Sequence, residues 1–115
     1  MSTSHNAVKD SPFTLGGPGG PVVMNMNFNV SDLHPAETHR PVLFYQAMPN
    51  GTVDIRIDIN GNLVKALHFG TTAGREMSEI MNIGDVQSGG NLLTVTHVVG
   101  ADIVLENFVV FYQSA

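Results

Sequence analysis

The side chains able to move protons or hold a metal are few, and their spacing limits what they can do. His34 and His39 flank Pro35-Ala36-Glu37-Thr38. With Glu37 they would offer two imidazoles and a carboxylate, but Pro35 disfavours a continuous helix and the spacing fits no standard zinc pattern. His68 and His97 fall on separate predicted strands and would have to converge across a sheet. Arg75-Glu76-Met77-Ser78-Glu79, with Asp85 nearby, is the densest charged patch. Two carboxylates beside an arginine suit general acid–base work of the kind used in glycoside hydrolysis, yet an exposed turn carries the same residues. With no obvious nucleophile, the expectation is a protein that is not an enzyme. Asp58-Ile59-Asn60-Gly61-Asn62 has the oxygen-rich opening of a calcium loop. An EF-hand needs a longer loop ending in a bidentate Glu, and Leu63 onward reads as strand. No cofactor is therefore expected, and calcium held elsewhere by loop carbonyls stays compatible with the sequence.

Binding chemistry is better represented. Recognition of sugar hydroxyls needs planar amides and carboxylates, with an aromatic face for the apolar side of the ring. The chain has ten Asn. Asn25, Asn27 and Asn29 alternate along one stretch, and Asp54, Arg56 and Asp58 alternate along another, so each set shares one strand face. Asn is a poor strand former, which makes three in alternation notable. With no tryptophan, ring stacking falls to Tyr45, Phe69, Phe111 and Tyr112. The candidate ligand contacts are Asn25, Asn27, Asn29, Asp54, Arg56, Asp58, Tyr45, Arg75 and Glu76. The plain alternative is a solvated sheet face.

Strands must position these groups. From Pro21 onward the apolar pattern has period two: Met24, Met26, Phe28 and Val30 alternate with the asparagines. Residues 42–48 are apolar on both faces. Val53, Ile55, Ile57 and Ile59 give the clearest strand, and a one-residue slip would turn all four to water. Asn60-Gly61 predicts a type I′ hairpin, with a return strand at 62–69 placing Leu63, Leu67 and Phe69 on one face. Residues 75–81 read as a short helical turn or an irregular strand. Leu93, Val95 and Val99 share a face beside His97, and Glu106-Asn107 breaks alternation in the last strand, predicting a β-bulge before Phe108. Six or seven short strands with Gly- and Asn-rich turns imply an all-β antiparallel sandwich or barrel over residues 21–115. Residues 1–20, ending in Gly16-Gly17-Pro18-Gly19-Gly20, read as a flexible Gly/Pro-rich arm, with exchange of that arm between protomers as the functional alternative.

Two stretches carry a family resemblance. Val53-Asp54-Ile55-Arg56-Ile57-Asp58-Ile59-Asn60-Gly61-Asn62-Leu63-Val64 and Gly89-Gly90-Asn91-Leu92-Leu93-Thr94-Val95 resemble the hairpin and the G-x-N-x-L-x-V turn and strand of the galactose-binding-like jelly rolls. That group includes many carbohydrate-binding modules. The closing Ile103-Val104-Leu105-Glu106-Asn107-Phe108-Val109-Val110-Phe111-Tyr112 is similar to the family's final strand. The resemblance implies a jelly-roll-like β-sandwich and a lectin-like, non-catalytic role with glycans as partners.

Composition narrows the remaining classes. Five Lys and Arg against ten Asp and Glu give −5, which disfavours a nucleic-acid surface built on phosphate neutralisation. No apolar run nears the ~20 residues of a spanning helix, so no membrane insertion is expected. The absence of cysteine removes disulfides and thiolate chemistry. The N-terminus lacks a signal-peptide layout, making cytoplasmic residence, or export without a classical signal peptide, the expectation. Low charge, six Met and the two-sided strands at 42–48 and 103–112 predict a homo-oligomer, with Tyr45, Val109 and Phe111 at its interface. A structural or interaction protein without a small ligand is thus the competing reading, and a small enzyme using a carboxylate or histidine is the third.

Overall fold

A computed structural model describes residues 2–33, 40–70 and 72–114. The histidine–glutamate cluster of His34, Glu37 and His39 lies outside the described residues. The chain is an antiparallel β-sandwich of two sheets. One has the order β1-β9-β4-β7 with β2 also paired to β9, and the other has the order β3-β8-β5-β6. The strands are β1 (Ser2–Lys9), β2 (Phe13–Leu15), β3 (Val23–Val30), β4 (Val42–Pro49), β5 (Val53–Ile59), β6 (Asn62–Phe69), β7 (Arg75–Ile80), β8 (Gly89–Gly100) and β9 (Ile103–Ser114). The inner faces meet in a core that includes Met26, Phe28, Leu43, Tyr45, Ile55, Ile57, Leu93, Val95, Phe108 and Val110.

Period-two alternation sets these faces. β3 buries Met26, Phe28 and Val30 and exposes its asparagines, and β5 buries its four aliphatic residues. The β5–β6 turn is the expected two-residue hairpin, with Asn60 at φ 52 and Gly61 at φ 83. Asn can adopt this left-handed geometry at little cost, so the Asn-Gly pair suits the twist of the flanking strands.

The sequence reading differs from the structure where bulges change the phase. The register passes from Ile57↔Lys65 to Asp58↔Leu63, so Val64 takes the core side and Leu63 is exposed. In β8 the step from Ile55↔His97 to Asp54↔Val99 leaves Val98 unpaired and turns Val99 outward. Residues 75–80 form strand β7 rather than a helical turn. The predicted break in β9 is present: Asn107 stands at φ 56, and two β9 residues oppose one on β4.

The N-terminal segment read as a flexible arm also differs. Ser2–Lys9 pairs with β9 from Phe108 to Ser114, and Phe13–Leu15 pairs with Leu105–Ile103. Leu15 is fully buried and Phe13 stacks on Phe108 at 5.7 Å. Without these strands the β9 edge would keep unpaired backbone donors and acceptors, and the N-terminal segment supplies their partners. Residues 16–20 then carry the chain from the first sheet to the second.

Candidate functional site

The second sheet gathers the polar residues singled out in the sequence. Directly paired residues point to the same side, so the register Asn25↔Thr94↔Asp58 and the alternation around it place Asn25, Asn27, Asn29, Asp54, Arg56 and Asp58 on one outer face. Four of these six, Asn25, Asp54, Arg56 and Asp58, are already engaged. Thr94 Oγ1 donates to Asn25 Oδ1 at 2.8 Å, and Arg56 donates from Nε and Nη2 to the two oxygens of Asp58 at 3.1 and 2.8 Å. The hydrogen bonds to Asp58, and then its charge, hold the Arg56 guanidinium pKa above its ordinary value. At one end His68 Nδ1 lies 2.5 Å from Asp54 Oδ1, beside a depression of about 340 Å³ that Ala66 and Val98 also line.

His68 and His97 do not converge. His68 shares the outer side with Asp54, whereas His97 shares the side of Ile55 and contacts the Ala101 carbonyl at 2.9 Å. The calcium-like loop is likewise a hydrogen-bonded turn. Asn60 Nδ2 donates to the Asp85 carbonyl and to Asn91 Oδ1, and Asn60 Oδ1 accepts from Leu92 N. Asn91 is buried and ties this knot to Gln87 and Gly89. No three His, Asp or Glu side chains gather into a metal site among the described residues.

The carboxylates of β7 separate in the same manner. Glu79 faces the core, 8% exposed, and accepts from the Tyr45 hydroxyl at 2.8 Å, while Glu76 faces water. Three residues apart on a strand means opposite faces, so the two cannot act on one bond. Tyr45 is therefore neither a stacking platform nor an interface residue. It is 2% exposed and lies flat on Phe108, with ring centroids 5.1 Å apart. Phe69 and Tyr112 are also buried.

The aromatic surface lies on the outer face of the first sheet. Phe44 and Phe111, 45% and 38% exposed, meet edge to face at 5.2 Å. They wall a depression of about 330 Å³ that Gln46, Glu76, Asn107 and Val109 also line. A second depression of about 300 Å³ adjoins it, bounded by Met48, Gly74, Arg75 and Glu106 and sharing Gln46 and Glu76. The two make one trough across β7, β4 and β9. Asn107 Nδ2 donates to Gln46 Oε1 at 2.8 Å, and the Arg75 guanidinium lies over the Phe69 ring at 5.7 Å. The structure thus unites Glu76, Arg75 and Phe111 with four residues outside the predicted ligand contacts: Phe44, Gln46, Glu106 and Asn107. The legible signal was Gln46. Its polarity marks the Phe44/Gln46/Met48 side of β4 as outward and the Leu43/Tyr45/Ala47 side as inward.

No family model and no curated protein matches the sequence. Solved structures match it over nearly the whole chain. The CBM36-1 domain of a multidomain xylanase from the hindgut metagenome of Trinervitermes trinervoides superposes at TM-score 0.55 with 8% identity, covering 99% of both chains. What the two share is the fold, a jelly-roll β-sandwich. A CBM36 module in complex with calcium and xylotriose matches at TM-score 0.50 and 11% identity, over 96% of this chain and 99% of that one. Dimeric latent PorU from Porphyromonas gingivalis matches at TM-score 0.61 and 12% identity, over 96% of this chain. There the chain spans only 12% of the PorU length, so the likeness is to one part of a much larger protein.

Proposed function

We propose that the protein is a non-catalytic, lectin-like module that binds glycans in the trough of the first sheet. The observation that carries this reading is the pair of exposed phenylalanines beside the Gln46–Asn107 amides and the Glu76 carboxylate. A sugar ring presents an apolar C–H side and a hydroxyl edge, and a concave surface with both aromatic walls and fixed polar groups complements both. The jelly-roll fold, which one neighbour uses in a complex with xylotriose, is consistent with it. The asparagine-rich face of the second sheet is the weaker candidate, because the exposed aromatic rings among the described residues, Phe44 and Phe111, both lie on the first sheet.

A glycan array followed by calorimetry, with and without calcium, tests the proposal. Binding is expected, and Phe111→Ala should weaken it by about tenfold, the effect of losing roughly 1.4 kcal/mol of ring contact. An array with no bound glycan sinks the proposal. Exposure of Phe44, Phe111 and Met48 together also favours a second reading, in which the trough is a contact between protomers of a homo-oligomer. Light scattering separates the two, since Phe111→Ala would then lower the oligomer mass instead of sugar affinity.

A further inference from the structure

This inference rests on the glycan reading of the trough and concerns which glycans it admits. Gln46 is in register with Glu76 on one neighbouring strand and with Glu106 on the other. A row across β7, β4 and β9 therefore reads carboxylate, amide, carboxylate on the outward face. Strands lie roughly 4.8 Å apart, so any group seated on Gln46 has a carboxylate one strand away on each side. Glu76 and Glu106 are both bonded through the backbone ladder, while among the described residues neither carboxylate takes part in a side-chain hydrogen bond or ion pair. The cation lining the trough, Arg75, lies over the Phe69 ring.

The β9 bulge adds orientation. The left-handed backbone at Asn107 brings its amide beside the row, where Nδ2 donates to Gln46 Oε1. With its oxygen engaged, Gln46 has its NH2 group left as donor, and Asn107 Oδ1 and the two carboxylates supply acceptors. That set matches hydroxyls, which both donate and accept, and opposes ligand groups that only accept and carry negative charge.

We propose that the trough selects neutral glycans and excludes those carrying a carboxylate or sulfate above Gln46, with Glu76 and Glu106 as the specificity-determining residues and Asn107 as the residue that positions the Gln46 amide. The test compares a neutral oligosaccharide with a uronate or sulfated counterpart of equal length by calorimetry. At about 0.01 M salt the charged ligand should bind at least about tenfold more weakly. At about 1 M salt, where charges are screened within roughly 3 Å, the gap should narrow while neutral binding stays constant. The double variant Glu76→Gln with Glu106→Gln should bring the two ligands within about threefold at low salt. Asn107→Gly keeps the left-handed backbone but removes the amide, and should weaken neutral binding by about tenfold at an unchanged melting midpoint.

Equal binding of both ligands by the natural chain overturns this inference and leaves the glycan reading standing. Discrimination that survives the double variant overturns it as well. Unchanged neutral affinity in Asn107→Gly overturns the positioning role, and failure to bind either ligand removes the glycan reading itself.

Discussion

Tyr45 and Glu79 show how a single polar pair can be held inside an apolar core. The tyrosine hydroxyl donates a hydrogen bond to a carboxylate with no other side-chain hydrogen-bond partner among the described residues, and both groups are shielded from water. Burial, then the Glu79 charge and the hydrogen bond, push the Tyr45 hydroxyl well above its ordinary value. The folded chain therefore keeps a proton that the unfolded chain loses near pH 10, so stability from this group is intact below about pH 10 and falls as pH rises further. Tyr45→Phe leaves the Glu79 carboxylate without its donor and should cost about 1–3 kcal/mol at neutral pH. It should also flatten the alkaline loss of stability, as urea titrations at neutral pH and above about pH 10 would register. Equal alkaline slopes in the two proteins would contradict this account. The inward side of Tyr45 is legible from Gln46 on the opposite face of β4, but its partner is not, because Glu79 comes from a different strand.

Strands were legible wherever alternation ran unbroken and illegible past each bulge. β3 and β5 keep one phase throughout, and their inward and outward sets follow from the residue order. In β6 and β8 one unpaired residue reverses the phase, so Leu63 and Val99 face water although the pattern up to that point assigns them inward. A bulge leaves a sequence mark only when a residue type demands it, as Asn107 does. The Gly89-Gly90-Asn91 stretch has a similar limit: it reads as a turn, while the function of Asn91 as a hydrogen-bond hub appears only in three dimensions. Its side chain serves Gln87 N, Gln87 O, Gly89 O and Asn60 Nδ2. Asn91→Ala orphans several of these at once and should cost at least about 2 kcal/mol. Hydrogen exchange should show the loss first in the segment from Ile83 to Leu92, with the β1–β9 ladder still protected. Uniform loss of protection across both sheets would instead make Asn91 part of the global core.

At the scale of the whole molecule, closure of the first sheet depends on the residues that looked least structured. Ser2-Thr3-Ser4-His5-Asn6 has no apolar alternation, and it joins the sheet through its backbone ladder, a contribution that side-chain patterning cannot reveal. Phe13 has a clearer part: it stacks on Phe108, which stacks on Tyr45, so one aromatic column ties the N-terminal segment to β9 and β4. Phe13→Ala should therefore destabilise the fold by about 3 kcal/mol through the cavity it leaves. Removal of residues 1–10 acts differently, since it spares this column and strips β1 from β9. The bared edge then offers free donors and acceptors along Phe108–Ser114, in a segment that carries Val109, Val110, Phe111 and Tyr112 and no charge. An uncharged apolar edge of this kind pairs with its like, so the shortened chain should self-associate with rising concentration in light scattering, above whatever mass the intact chain shows. Adding back Ser2–Lys9 as a free peptide should compete for the same edge and reverse the association. A shortened chain that keeps the intact chain's mass at every concentration would mean that β9 needs no cover, and that β1 does nothing for the solubility of the sandwich.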